Sequence, residues 1–154
     1  MSSNGKHIPE EELPIRTFKD NSAEARTEWA LLRRFAIGID GDLYLLRISI
    51  LTTPWFSIKL HRIYRPDRQR DLHDHPWAFL SIILFGSYTE ETPDGIRRCH
   101  WWNFKRAEDS HSIKTVSRTP VWTLVFCGPR RRVWGFHTKN GWVPWQEYEK
   151  LMEA

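Results

Sequence analysis

Leu72-His73-Asp74-His75-Pro76-Trp77-Ala78-Phe79-Leu80-Ser81-Ile82-Ile83-Leu84-Phe85-Gly86 is the stretch on which the fold turns. Its second part, Trp77 to Phe85, is apolar at both parities. Successive side chains of a strand point to opposite faces, so a strand apolar at both parities is expected to be covered on both. That places it at the centre of the domain, with one face toward the interior of a barrel and the other toward a further layer. The first part carries two histidines at i and i+2. On extended backbone these point the same way while Asp74 points elsewhere. Two imidazoles so placed can reach one ion, and imidazole suits Zn, Fe, Cu and Ni.

Outward from this stretch, short runs rich in branched and aromatic residues are separated by turn chemistry. The runs are Leu43–Leu51, Phe56–Tyr64, Trp77–Phe85, Ser87–Glu91, Ile96–Phe104, Ser112–Val116, Val121–Cys127 and Val133–Thr138. Thr53-Pro54, Pro66-Asp67, Gly86, Pro93-Asp94-Gly95, Thr119-Pro120, Gly128-Pro129 and Asn140-Gly141 punctuate them. Many short strands with regular turns indicate a sandwich, jelly roll or barrel. Before the strands, Asn21 with Glu24 resembles a capping box. Ala25, Trp29, Leu32 and Phe35 then recur at helical spacing, which predicts an N-terminal helix ended by Gly38 and Gly41. A short C-terminal helix is predicted from Pro144 through Tyr148 and Leu151. Residues 1–20, polar and without period, read as a flexible segment, and 21–154 as a single domain.

Composition sets the outer bounds. Nine Trp among 154 residues favour strands and pocket walls. No apolar run reaches the ~20 residues that span a membrane, and Met1 to Glu12 has no apolar signal core. Cys99 and Cys127 show no metal-finger spacing, so the reading is a reduced, cytoplasmic protein. A formal net charge of +4 allows weak attraction to nucleic acid or anionic ligands without demanding it.

A third metal ligand must come from another strand. His111 is the candidate: it follows the polar stretch Lys105 to Ser110 and leads into Ile113. A His-x-His alone is also the mark of a polar turn whose histidines cap backbone groups. Three neutral imidazoles would leave coordination positions open, as catalytic sites do. They would also leave the ion's charge uncompensated and so attract an anion or a thiolate. His61, mid-strand, is either a fourth ligand or general base, or a hydrogen-bonded core histidine. Glu90 either orients a ligand or serves as acid or base, or it marks an exposed strand end. Arg97 and Arg98 place one guanidinium on each face of a strand, one of them toward the barrel mouth. Tyr88 is a further substrate-orienting candidate. Asp74 is read as bracing the turn. Arg130-Arg131-Arg132 is read as a solvated loop, with an anion contact as the alternative. His100 and His137 are read as structural. Trp77, Trp122 and Trp134 are either cavity walls or core.

The residues resemble the cupin superfamily. His73 and His75 match the paired histidines of the first cupin motif, and Gly86 its closing glycine when Phe79 stands in place of the glutamate. His111 matches the histidine of the second motif, with Arg106, Glu108 and Thr115 replacing its Pro, Gly and Asn. The resemblance covers about Leu43 to Thr138. It implies an all-β double-stranded β-helix, a jelly-roll barrel, with an all-histidine site similar in ligand type to that of three-histidine thiol dioxygenases. It is also similar to a group of small cupin-like proteins of bacteria and their phages. The implied cofactor is a divalent transition metal, Fe(II) first, with Zn or Ni as alternatives. The implied ligand is a small molecule, anionic or thiol, and a homodimer is implied by the way cupins pair. A non-redox cupin, isomerase- or epimerase-like or ligand-binding, is the second function class. A nucleic-acid-binding module is the third, disfavoured by scattered basic residues.

Overall fold

The computed structural model describes residues 15–16, 29–39, 42–118 and 120–153. Their strands are β1 (Ile15–Arg16), β2 (Ala30–Ile39), β3 (Asp42–Thr52), β4 (Ser57–Ile63), β5 (Leu72–His73), β6 (Phe79–Phe85) and β7 (Tyr88–Thr92). Then come β8 (Gly95–Cys99), β9 (Trp102–Lys105), β10 (Ser112–Val116), β11 (Val121–Cys127), β12 (Gly135–Thr138) and β13 (Gly141–Pro144), and the helix α1 (Trp145–Glu153). No helix among the described residues is long and apolar enough to cross a membrane.

The larger sheet has the order β1-β2-β3-β4-β11-β6-β9. Apart from the parallel β1–β2 pair it is antiparallel. β6 lies within it, between β11 and β9, as its sequence requires. The opposing layer consists of two three-stranded sheets, β10-β7-β8 and β13-β12-β5. One backbone bridge joins them: the His73 N–H donates to the His111 carbonyl and the His111 N–H to that of His73, each at 2.9 Å. Between the layers, Ile37, Leu45, Ile63, Ile83 and Val121 of the larger sheet meet Tyr88, Cys99 and Ile113 of the other. A second cluster seals the far end, where Tyr148 of α1 stacks on Phe136 at 3.8 Å between centroids and Trp145 on Trp134 at 6.0 Å. This is the expected all-β jelly roll with a short C-terminal helix.

Several expectations are corrected. Leu32 and Phe35 belong to a strand, β2, not to a helix. The chain finds a partner in β3 from Ala30↔Thr52 to Ile39↔Asp42, and that ladder overrides a spacing that suits a helix equally well. The first part of the expected helix, and most of residues 1–20, lie outside the described residues. The run Ile96–Phe104 is broken at His100-Trp101: β8 pairs with β7 in one layer and β9 with β6 in the other. Pro144 ends β13 instead of opening the helix. The second covering layer expected over β6 is not found among the described residues, for Ile82 and Leu84 are 37% and 47% exposed.

Gly86 shows why the β6–β7 turn demands glycine. Its φ is +74°, and a Cβ there would sit 2.8 Å from Ser117 Oγ and 3.0 Å from the Pro120 carbonyl. Gly86→Ala is expected to destabilise the protein by about 1–3 kcal/mol, read as a lower urea midpoint at unchanged m-value. An unchanged midpoint would contradict this role.

Candidate metal centre

The two histidines of the Leu72–Trp77 stretch follow the period of extended chain. His73 lies in β5, and His75 is held two residues on by its N–H donating to the Ala107 carbonyl at 3.0 Å. Asp74 points the other way. Its wholly buried carboxylate accepts from the Gly135 N–H at 2.7 Å and Trp142 Nε1 at 2.8 Å, and it lies 3.0 Å from Arg132 Nη1 and 3.2 Å from His137 Nε2. Asp74 thus ties β5 to β12 and β13, a longer reach than the local turn bracing expected of it.

His111 arrives through the backbone bridge with His73. Residues directly paired across two strands present their side chains on one face. The three imidazoles therefore converge, with ring centroids 5.0–5.1 Å apart. One ring nitrogen from each lies within 4.8 Å of the others, a grouping able to hold a metal ion. His75 Nε2 and His111 Nε2 are 2.9 Å apart. Two nitrogens at ~2.1 Å from one ion and at right angles would be separated by about 3 Å, so this pair already has the spacing of adjacent ligands. Phe79, in place of the motif's glutamate, sets its ring edge-on to His75 at 4.8 Å between centroids.

The donors have the chemistry a metal needs. Burial pushes His73 down to about 4, against the opposing pull of Asp67, whose Oδ2 lies 3.9 Å from Nδ1. Burial, then the neighbouring His111 and His73, hold His75 well below the ordinary imidazole range. Both rings are neutral near pH 7, the ligand form.

Behind His111 stands Glu90, on β7 beside β10. It is wholly buried, not an exposed strand end. His111 Nδ1 lies 2.6 Å from Glu90 Oε2, and Lys105 Nζ and Arg97 Nε donate to Oε1 at 2.7 and 2.6 Å. Asn103 Nδ2 donates to Oε2 and to the Tyr88 hydroxyl, both at 3.0 Å. Burial works against the Glu90 charge, but the contacts with His111 and Lys105 outweigh it and hold the carboxyl well below the usual range. An ionised carboxylate only accepts, so His111 Nδ1 carries the proton and Nε2 is left to face the other imidazoles.

A cavity of about 200 Å³ opens on the three rings. Tyr88 and His61 line it; Glu90 and Arg97 do not. His61 is neutral, lowered by burial and by Arg47 and Lys59, and its Nε2 accepts from Arg47 Nε at 3.0 Å. That bond occupies the nitrogen a fourth ligand would offer. Trp77 and Trp134 are cavity walls, whereas Trp122 lies outside beneath Arg62. Of the arginine run, Arg132 pairs with Asp74, so the solvated-loop reading fails for it, whereas Arg130 and Arg131 are exposed and Arg130 borders the cavity. His100 is exposed beside Trp101. Arg47, Lys59 and Asp67 also line the cavity, and sequence reasoning missed them. The signal was present in β4, where Ser57, Lys59 and His61 share one parity.

No family model matches the chain. No curated protein matches its sequence. Solved structures similar to it include the polyketide cyclase RemF from Streptomyces resistomycificus, at a TM-score of 0.57 and 16% identity over 79% of this chain and 87% of that one. An RmlC-like cupin from Shewanella frigidimarina matches at 0.49 and 13% identity, covering 66% and 86%. A cupin superfamily protein from Desulfitobacterium hafniense matches at 0.47 and 13%, covering 65% and 99%. Fold and site together define the class: a cupin-fold protein with a three-histidine group in its barrel.

Removing the Glu90 carboxylate would strand Lys105 in the interior. Glu90→Ala is expected to cost ~3–5 kcal/mol in urea unfolding of the metal-free protein. A loss below about 1 kcal/mol would show that this network does not hold the site.

Proposed function

We propose that the chain is a metal-dependent cupin that binds a small anionic molecule at a mononuclear His73–His75–His111 centre and, with Fe(II), acts as a small-molecule dioxygenase. The observation that carries this reading is the convergence of three imidazoles, from two distant chain segments, on one cavity. When bound, the ion would supply a Lewis acid and, in the case of iron, a redox centre. The donors fit it: His73 and His75 are neutral, and Glu90 turns His111 Nε2 inward. Zn and Ni suit the same ligands.

The ligand's chemistry follows from charge and size. Three neutral ligands leave the ion's charge uncompensated, which favours a carboxylate, a thiolate or another anion. The cavity wall adds Arg47, Lys59 and Arg130, against one lining carboxylate among the described residues, Asp67. The cavity holds about six or seven water volumes at ~30 Å³ each, room for a small molecule. Tyr88 and His61, on that wall, are the side chains placed to orient the ligand. Glu90 and Arg97 act from behind, through His111.

Elemental analysis of untagged protein is expected to find one transition-metal ion per chain, and none in His73→Ala. Metal-free wild type, or undiminished metal in the variant, would refute the centre. Oxygen uptake with candidate thiols tests the iron chemistry. Metal-loaded protein that consumes no oxygen with any ligand it binds would place it among the non-redox cupins. Lys59→Met is expected to weaken binding of a small carboxylate at least ~10-fold while metal content stays the same, measured by calorimetry. Equal affinity in the variant would remove Lys59 from the ligand's surroundings.

A further inference from the structure

The inner face of the larger sheet is divided into rows that differ in chemistry. One row runs Arg47↔His61↔Thr123 across β3, β4 and β11. On one side of it lies the row Ser49↔Lys59↔Val125. On the other side lies the row Ile37↔Leu45↔Ile63↔Val121, which carries no polar side chain. Successive rows are two residues apart, about 6.8 Å. Arg47, Lys59 and His61 line the cavity, and so do Ile37, Leu45 and Ile63. The cavity wall therefore changes from cationic to wholly apolar within about one row.

The opposing layer closes the apolar end. Ile113, two residues beyond His111, packs into the same cluster as Ile37, Leu45 and Ile63 and also lines the cavity. These four side chains offer neither donor nor acceptor. Space between them suits water poorly, because a bound water needs two to four polar partners. It is not ordinary core either, since close-packed interiors leave few voids larger than a water molecule. A hydroxylated group placed there would lose its bonds to water without replacement. An alkyl group would gain about 4-fold in affinity for each methylene removed from water. The cationic row, in turn, adjoins the imidazoles: burial is the main cause that keeps His75 neutral, and Arg47 is near enough to add to it.

We propose that the ligand of this cavity is a short-chain carboxylate with an apolar tail, its head held by Arg47 and Lys59 and its tail enclosed by Ile37, Leu45, Ile63 and Ile113. This rests on the reading of the cavity as the site of a small anion and adds the part of the ligand that sets specificity. The volume of about 200 Å³, at ~30 Å³ per water-sized group, limits the whole to about seven non-hydrogen atoms. Pentanoate is of that size.

Titration calorimetry of the full, untagged chain with acetate, propanoate, butanoate and pentanoate tests it. Affinity is expected to rise ~4-fold with each methylene, so that pentanoate binds roughly 60-fold more tightly than acetate. Arabinonate, the five-carbon carboxylate with a hydroxyl on each tail carbon, is expected to bind no more tightly than acetate. Pentanamide, which keeps the tail and loses the charge, is expected to bind at least ~10-fold more weakly than pentanoate. Ile63→Thr puts a hydroxyl into the tail end and is expected to lower the pentanoate-to-acetate ratio at least ~5-fold. Should that variant fail to fold, the wild-type series decides alone. Equal affinity along the series, arabinonate binding as tightly as pentanoate, or an unchanged ratio in folded Ile63→Thr would overturn the proposal and leave the small-anion reading standing. Pentanamide binding as tightly as pentanoate, or no carboxylate bound at all, would overturn that reading and this one with it.

Discussion

The backbones of His73 and His111 exchange two hydrogen bonds, and the upper layer of the barrel depends on that exchange. It joins β10-β7-β8 to β13-β12-β5, flanked by the bonds from the Asp67 N–H to the Ile113 carbonyl at 2.9 Å and from the His75 N–H to the Ala107 carbonyl at 3.0 Å. A directly paired couple in an antiparallel ladder has little choice of direction: both side chains leave on the same face. The bond that closes the layer is therefore also the one that brings the first and third imidazoles together. His75 needs only two further residues of extended chain to join them. Fold and site are consequences of one local geometry, which is why the motif sits at the seam and not on a peripheral loop.

The polar interior follows from the site. A barrel interior that carries charged and amide groups holds what a core normally rejects, and each such group needs a partner. Glu90 meets that need for Lys105, Asn103, Arg97 and His111 at once. Asp74 does the same on the other side of the motif for Arg132, Trp142 and the Gly135 N–H. The two carboxylates flank the three histidines, one fixing a ring and the other fixing the strand. With Arg47 and Lys59 across the cavity, the result is a site in which burial holds His73 and His75 neutral while cationic side chains stand on the wall.

How much of this could be read in advance depended on whether a local rule matched the final environment. The turns at Gly86, Pro93-Asp94-Gly95 and Asn140-Gly141 obey backbone sterics, and β6, β7 and β12 fell near where expected, whereas β13, beyond Asn140-Gly141, was not expected. The paired histidines obey the period of two, and the match of His111 to a family motif supplied the third. β2 was misread because Leu32 and Phe35 satisfy helical spacing and only a distant partner, β3, makes them a strand. Ile96–Phe104 looked like one strand because the corner at His100-Trp101 has no Gly or Pro to mark it. The cavity's Lys59 and Arg47 were hidden by a sound general expectation, that the apolar parity faces in. In β4, β6, β9 and β11 the interior is the more polar side, and the apolar parity faces outward.

The same strands carry two opposed faces, an inner one with buried polar and charged groups and an outer one with exposed apolar side chains. The barrel supplies rigidity to the three imidazoles, and the carboxylate behind His111 supplies direction. The most direct test of the account is X-ray absorption spectroscopy on protein loaded with one equivalent of Zn. Three imidazole nitrogens at about 2.0–2.1 Å, with remaining positions filled by light atoms from solvent, are expected. A spectrum with fewer than three imidazoles, or protein that takes up no ion, would contradict it.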